Sequence, residues 1–342
     1  MKTQHYVKKN HIQHLVSDGY YRNLVVLRNI VSMACDEYFQ SKNAPRVDLF
    51  LITKEVSSPM GRGSDSLPIP IPFGKTKTFL TDSAQFGMEP LVQKNFRMVY
   101  CYLPSFRGEE PDGRHLNQFY HCEAELRGNY IDAMSVAESL VKYIFQKSYI
   151  AYAKKTIRFS KSNFKMLPTI TKKKFPVITF QEAAILLEKH QSGNLIEKKS
   201  FGRVLTNAGE KMITKLITNN QLPVWVTKYD RDTVPFYQAP DSKNMESALN
   251  ADLLFPDING GFAGEIVGSG QRQKDTNEIA RSMKRQRVVG SAAYKWYIDL
   301  RKRRNYKTTS GFGLGIERLI SWMLGLSTIA DVCIYPVMKT EF

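Results

Sequence analysis

Three short segments carry residue types suited to handling a nucleotide. Gly311-Phe-Gly-Leu-Gly315-Ile-Glu-Arg318-Leu reads as a glycine-rich turn feeding a short helix, with an arginine one turn in. Such a turn brings backbone N–H groups close to a phosphate, and a guanidinium nearby offers a planar cation to cover a base. The G-x-G-x-G spacing is weak alone. Too little chain follows it for a βαβ unit, so a Rossmann dinucleotide site is excluded.

The second segment, 104–119, is a long polar hairpin loop holding Arg107, Glu109, Arg114 and His115. Arg107 stands where a strand gives way to the loop, a rigid place from which to aim a guanidinium. In the strand that follows, Phe119, His121, Glu123 and Glu125 alternate with Tyr120, Cys122, Ala124 and Leu126. One face is therefore acidic and aromatic and the other apolar. Paired carboxylates on such a face suit a nucleotide–Mg²⁺ site. The third segment is Gly264-Glu265-Ile-Val-Gly268-Ser-Gly-Gln-Arg272. Glu265 could hold a metal, seconded by Asp252 on a neighbouring strand. Arg272 could grip a carboxylate or an amide as a fork.

These side chains need a scaffold, and the spacing supplies one. Leu24, Leu27, Ile30, Val31 and Ala34 predict an amphipathic helix over 22–40. A strand follows at Val47 to Thr53, then a Ser-, Gly- and Pro-rich loop or lid at 57–78. Strands Met98–Leu103 and Gln118–Leu126 flank the polar loop. The capping boxes Ser135-x-x-Glu138 and Thr179-x-x-Glu182 open helices to about Ala153 and to His190. Between them lies a basic connector, 153–175, read as a mobile arm or a solvated surface. Further strands are predicted at Pro223–Thr227, Ala251–Phe255 and Gly264–Val267, with helices at 279–303 and 316–324, the last ended by Gly325. Strands and helices do not alternate one for one, so the fold class is α+β, an antiparallel sheet of about six strands flanked by helices.

The chain has 342 residues, 42% of them hydrophobic, enough for one large domain or two modest ones. No apolar run suits a membrane span or a secretion signal. Cys35, Cys101, Cys122 and Cys333 form no CxxC pair, so neither a disulfide framework nor a zinc knuckle is expected, and a cytoplasmic location is. The net charge of +17 attracts polyanions or belongs to a plain basic surface. His11-x-x-His14 reads as an exposed helix face rather than a metal pair. Trp225, Trp296 and Trp322 read as core.

Taken in order, these segments resemble motif 2, the amino-acid pocket and motif 3 of class II aminoacyl-tRNA synthetases, in the aspartyl/asparaginyl branch. The residues that carry the likeness are Leu80-Thr-Asp-Ser83-Ala-Gln85-Phe-Gly-Met88-Glu89, Phe106-Arg107-Gly-Glu109, Arg114-His-Leu-Asn-Gln-Phe119, Pro235-Phe-Tyr237, Gly264-Glu265-Ile, Tyr294-Lys-Trp-Tyr-Ile-Asp-Leu-Arg301 and Gly313-Leu-Gly315-Ile-Glu-Arg318-Leu. The similarity runs over roughly residues 20 to 336.

The resemblance implies roles. Arg107 would grip the α-phosphate of ATP, and Phe119 and Arg318 would sandwich adenine. Glu109, Arg114, His115, Gly313 and Gly315 would complete the ATP site. Glu265 and Asp252 would hold Mg²⁺. Ser83 and Gln85 would contact the α-amino group, with Gly268 beside them. Arg272 would read the substrate's side chain. Aspartyl enzymes place a lysine where Met88 stands, whereas Met88-Glu89 looks asparaginyl, with Glu89 welcoming an amide N–H₂.

The resemblance also implies a division into a short extension, 1–20, and a catalytic domain, 21–342, without the anticodon-reading OB domain. A homodimer is expected, although Phe50 stands in place of the motif 1 proline. Gln118, Thr308-Thr309 and Tyr335-Pro336-Val337 also depart from the family's pattern. The expected activity is an AMP-forming ligase that activates Asp, Asn or a related amino acid and passes the acyl group to ammonia or a small amine. The alternatives are transfer to tRNA or a protein side chain, and a non-catalytic RNA- or partner-binding paralogue.

Overall fold

The computed structural model describes residues 5–7, 9–57, 67–160, 162–190, 193–288 and 291–339. Seven strands form the central sheet: β1 (Met98–Phe106), β2 (Gln118–Arg127), β3 (Val177–Thr179), β4 (Val224–Thr227), β5 (Asn250–Phe255), β6 (Gly264–Gln271) and β7 (Thr309–Gly315). Side by side they run β1-β2-β7-β6-β5-β4-β3. Neighbours are antiparallel except the edge pair β3–β4, which is parallel. The chain is α+β, as its pattern predicts.

The two faces of the sheet differ. Cys122, Ala124 and Leu126 of β2 and Phe312 and Leu314 of β7 point into the main core. There they meet the helices Gly19–Ser41, Tyr130–Ala153 and Ile316–Leu324 through residues such as Leu27, Leu140 and Trp322. Each such side chain contributes roughly 1.5–3 kcal/mol on burial. The opposite face carries the polar half of each alternating strand and is bordered by a second core, in which Leu187, Ile213 and Val226 pack together. No helix is long and apolar enough to cross a membrane among the described residues.

Several local expectations give way. Val47–Thr53 is not one strand: Arg46 bridges Tyr100, and only Ile52–Thr53 pairs, with Leu80 and Phe79. Part of the expected lid is a hairpin, Pro70–Phe73 with Thr76–Leu80, turned at Gly74 with φ 62°. The rest of that lid, 58–66, lies outside the described residues. The helix expected to open at Ser135 starts at Tyr130, because Asn129 and Asp132 form the capping box and leave Ser135 inside the helix. Thr179 and Glu182 do cap the next helix, Phe180–Glu188.

The basic connector is no mobile arm. Its described lysines face solvent, but Ile157, Phe164, Leu167 and Ile170 are buried in the main core. The helix expected over 279–303 divides into Thr276–Arg285 and Lys295–Arg301, with Arg287 in the left-handed region at φ 54° just past the first. His11 is buried rather than exposed, and its Nε2 donates to the Ile334 carbonyl at 2.8 Å. The His5 and Tyr6 amides donate to Asp331.

Candidate active site

The polar face of the sheet is bare where three strands meet. Gly311 lies opposite both Gly270 and Glu125, and Gly313 opposite both Gly268 and Glu123. The expected glycine-rich turn is thus strand β7, and its glycines serve close approach rather than turning. A Cβ at Gly311 would lie 2.1 Å from Glu125 Oε2 and 2.5 Å from Arg272 Nη2. No side chain fits there, so the Glu125–Arg272 pair lies flat on the strand.

Two adjoining cavities open over this floor. The first, of about 290 Å³, is bordered by Glu109, Phe119, Gly315 and Ile329 among others. The second, of about 580 Å³, is bordered by Ser83, Gln85, Tyr237, Asp252, Gly268 and Arg272 among others. Arg107, Arg114, His115, His121, Glu265, Gly313 and Arg318 border both.

At the first cavity, Arg107 follows the last residue of β1. Its guanidinium sits 5.3 Å from the centre of the Phe119 ring, and its Nε is buried with no hydrogen-bond partner. Glu109 Oε2 is likewise buried and unpaired. Arg318, in the first turn of the helix Ile316–Leu324, donates through Nη1 to the Glu265 carbonyl at 3.0 Å and carboxylate at 3.3 Å. Glu317 beside it is fixed by Arg28 at 2.7 Å and by the Tyr120 amide at 2.8 Å. Arg114 pairs with Glu210 at 2.7 Å, and His115 Nδ1 meets Asp112 at 2.9 Å.

Glu265 owes its placement to a β-bulge. The β5–β6 register shifts between Leu253 and Leu254, which pair with Val267 and Glu265, so that Ile266 is extra. The phase resets, and Glu265 and Gly268 both border the second cavity while Val267 enters the core. Asp252 stands opposite Gly268. A Cβ on that glycine would lie 3.0 Å from Glu265 Oε1 and 3.6 Å from Asp252 Oδ1, so the two carboxylates converge over it. Burial, then the charges of Glu265 and Glu210, push the Asp252 carboxyl well above the usual carboxylate range. Burial also pushes Glu265 up, but Arg318, Arg107 and Arg114 together hold it below its ordinary value.

In the second cavity, Arg272 grips Glu125 through Nε and Nη2, the latter at 2.7 Å, and lies 5.6 Å from the Tyr237 ring centre. Burial pushes the Glu125 carboxyl up, to about 7, against the pull of Arg272. Glu123 accepts from Ser83 Oγ at 2.6 Å and from the Ala84 amide at 3.1 Å. Both strand carboxylates are thus engaged on the second-cavity side, which corrects their reading as a nucleotide–Mg²⁺ pair. Gln85 Nε2 is buried with no partner and borders the cavity.

Met88 and Glu89 are not in the cavity. Met88 is 1% exposed and packs with Val92, Val99 and Leu103. Glu89 is wholly buried, held by Arg301 and by the hydroxyls of Tyr297 and Tyr306, each at 2.7 Å. Both lie on the helix Gln85–Gln93, whose first residue borders the cavity while the next turn packs into the protein.

Sequence reasoning also missed Glu210, Asn207 and Tyr229, which border the second cavity. Glu210 lies in the first turn of the helix Asn207–Thr218, capped by Thr206. The signal was there, a Thr cap followed by Met212, Ile213, Leu216 and Ile217 at helical spacing.

A family model described as tRNA synthetases class II (D, K and N) matches residues 3–339. An asparagine–tRNA ligase of Mycoplasma genitalium is 31% identical over 92% of this chain and 69% of its own length. One from Clostridium tetani is 31% identical over 91% of this chain and 69% of its own length. The crystal structure of asparaginyl-tRNA synthetase from Pyrococcus horikoshii complexed with asparaginyl-adenylate superposes with a TM-score of 0.82 at 25% identity, over 97% of this chain and 71% of that one.

Proposed function

The chain belongs to the class II tRNA synthetases (D, K and N) and is an AMP-forming ligase; within that family we propose that it activates asparagine and charges tRNA. Asparagine and ATP give asparaginyl-AMP and pyrophosphate, and the acyl group then passes to a ribose hydroxyl at the end of tRNA. The relatives' names favour this acceptor over the ammonia or small amine expected first from the sequence. The carrying observation is the shared border of the two cavities, where Arg107, Glu265 and Arg318 face a nucleotide space and an amino-acid space at once.

The substrate's own carboxylate is the nucleophile, so the first step needs no basic side chain. It needs positioning and charge compensation. Arg107, lacking a partner at Nε, neutralises the α-phosphate under attack. Phe119 and Arg318 enclose the adenine. Glu109, Arg114, His115, Gly313 and Gly315 shape the rest of the ATP space. Ser83 and Gln85, with Glu123 behind Ser83, receive the α-ammonium beside Gly268.

Arg272 reads the substrate's side chain. Its charge is already answered by Glu125, so the floor is close to neutral and suits an amide better than a second carboxylate. This gives the asparagine preference a different source from the one expected at Met88-Glu89.

Mg²⁺ fits the carboxylate cluster. Among the described residues no three His, Cys, Asp or Glu side chains could hold a metal by themselves. Mg²⁺, however, takes one or two carboxylates and completes its shell with phosphate oxygens and water. The crowding of Asp252 by Glu265 and Glu210 is the kind of strain a cation relieves. Asp252 and Glu265 would hold it, and it would draw charge from the phosphates. A homodimer is also part of this reading: Phe50 is 93% exposed, next to the half-exposed Leu51 and Ile52, an apolar edge that a second copy would cover.

The test is ATP–pyrophosphate exchange with each amino acid, followed by AMP release with bulk tRNA, ammonia or hydroxylamine added. Exchange led by asparagine and AMP release driven by tRNA are expected. Release driven by ammonia alone would overturn the acceptor. Sedimentation of the native chain reports the dimer.

A further inference from the structure

His121 is a group that neither the family match nor the activation step accounts for. It lies on β2 between Phe119 and Glu123, opposite Gly315 of β7 and Leu103 of β1. It borders both cavities, at the stretch where an amino acid's carbonyl and the α-phosphate must meet.

Its ring is oriented from one side only. Nδ1 lies 3.1 Å from Ser105 Oγ and 3.3 Å from Glu123 Oε1. The ring stands edge-on to Phe119, with centres 4.7 Å apart. Among the described residues Nε2 has no hydrogen-bond partner, and it is not sealed from solvent, so it is open to the cavity. Glu123 is fixed in turn by Ser83 Oγ and the Ala84 amide. With the Nδ1 proton directed to Glu123, and Ser105 Oγ beside it, Nε2 carries the lone pair that a base needs. The other charged side chains bordering both cavities are Arg107, Arg114, Glu265 and Arg318, with His115 tied to Asp112. The arginines are permanent cations and Glu265 is held by them. Among the described residues that border both cavities, His121 is therefore the one whose open ring nitrogen can take a proton at this junction.

We propose that His121 is the general base of acyl transfer, its Nε2 taking the proton from the tRNA ribose hydroxyl as that oxygen attacks the acyl carbon of the bound adenylate. The new bond is the ester C–O. The bond that breaks joins the acyl carbon to the phosphate oxygen, and AMP leaves with that electron pair. The proton on Nε2 makes an imidazolium, which Glu123 stabilises across Nδ1, and it then returns to solvent. The inference rests on tRNA being the acceptor. It assigns His121 to the second half-reaction and not to the first, where the attacking carboxylate carries no proton.

The experiment separates the two steps. Adenylate is formed on the enzyme from asparagine and ATP and mixed with bulk deacylated tRNA, and ester formation is followed in a single turnover. His121→Ala should keep ATP–pyrophosphate exchange within several-fold of the native enzyme, which also shows that it folds. Its transfer rate should fall by about 10²–10⁴-fold, the usual worth of a positioned base. Added imidazole should recover part of that loss. His121→Asn, which keeps an amide near Ser105 and Glu123 but has no second ring nitrogen, should lose transfer equally. Unchanged transfer in either variant, or exchange and transfer falling together, would overturn the role while leaving the tRNA reading intact. A native enzyme that exchanges but never esterifies tRNA would remove both.

Discussion

The two ends of the cleft use arginine in opposite ways. At the nucleotide end, Arg107 keeps a buried Nε without a partner, and Arg318 reaches Glu265 from a partly open position. At the amino-acid end, Arg272 is clamped by Glu125 and, behind it, Arg301 by Glu89, with Arg301 and Glu89 wholly out of solvent. A guanidinium left with an unpaired nitrogen or a partly open face is available for a phosphate. One matched to a carboxylate adds shape and hydrogen bonds but almost no net charge. The difference follows the ligands, a polyanion at one end and a neutral amide at the other.

The sharpest way to break this contrast is to remove one half of a buried pair. Glu89→Ala leaves Arg301 uncompensated, with two tyrosine hydroxyls losing their acceptor. A stability loss of about 3–5 kcal/mol is expected in denaturant melts. Loss of asparagine affinity without loss of stability would place Glu89 in the substrate site after all. Arg107→Ala should do the reverse. Pyrophosphate exchange should fall by about 10²–10³-fold, as for other groups that meet charge developing in a transition state. The melting transition should stay where it was. Smaller again, Phe119→Ala should raise the KM for ATP with little change for asparagine, since one stacked base is worth about 1–3 kcal/mol. Equal effects on both substrates would mean that the ring supports the whole cleft.

The sequence made the nucleotide end more legible than the other. Arg107 at a strand end, Phe119 in an alternating strand and Arg318 one turn into a helix are local patterns, and the structure gathers them at one cavity. The amino-acid end depends on facts with no local signature. A bulge at Ile266 decides which way Glu265 points. The register of β7 puts Gly311 under a pair whose members are 147 residues apart. Glu89 lies one turn beyond Gln85, and a helix turns a neighbour away from the cavity as readily as toward it. In the fold, amphipathic spacing found the long helices but misplaced the start of Tyr130–Ala153, because Asn129 outcompetes Ser135 as the cap. The break after Thr276–Arg285 turns on one left-handed residue, Arg287, where an arginine is no helix breaker by type.

The finest test of the contrast is pH. Glu125 sits near 7 in the folded protein, above its ordinary 4.5, because burial outweighs Arg272. The fold therefore binds this proton more tightly than the open chain does. The stability it contributes is complete below about 4.5 and is lost as pH rises through about 7. Function should move the other way. Below about 7 the protonated acid leaves the Arg272 charge unanswered, so aspartate competes better; above it the neutral pair forms and asparagine is favoured. The ratio of kcat/KM for asparagine to that for aspartate should climb by roughly tenfold across this range, about the effect of one pKa unit of differential interaction. Taking the ratio cancels any titration of ATP, since both amino acids meet the same nucleotide. A flat ratio would mean that Glu125 stays ionised throughout, and that the neutrality of this end is fixed by structure rather than by a proton.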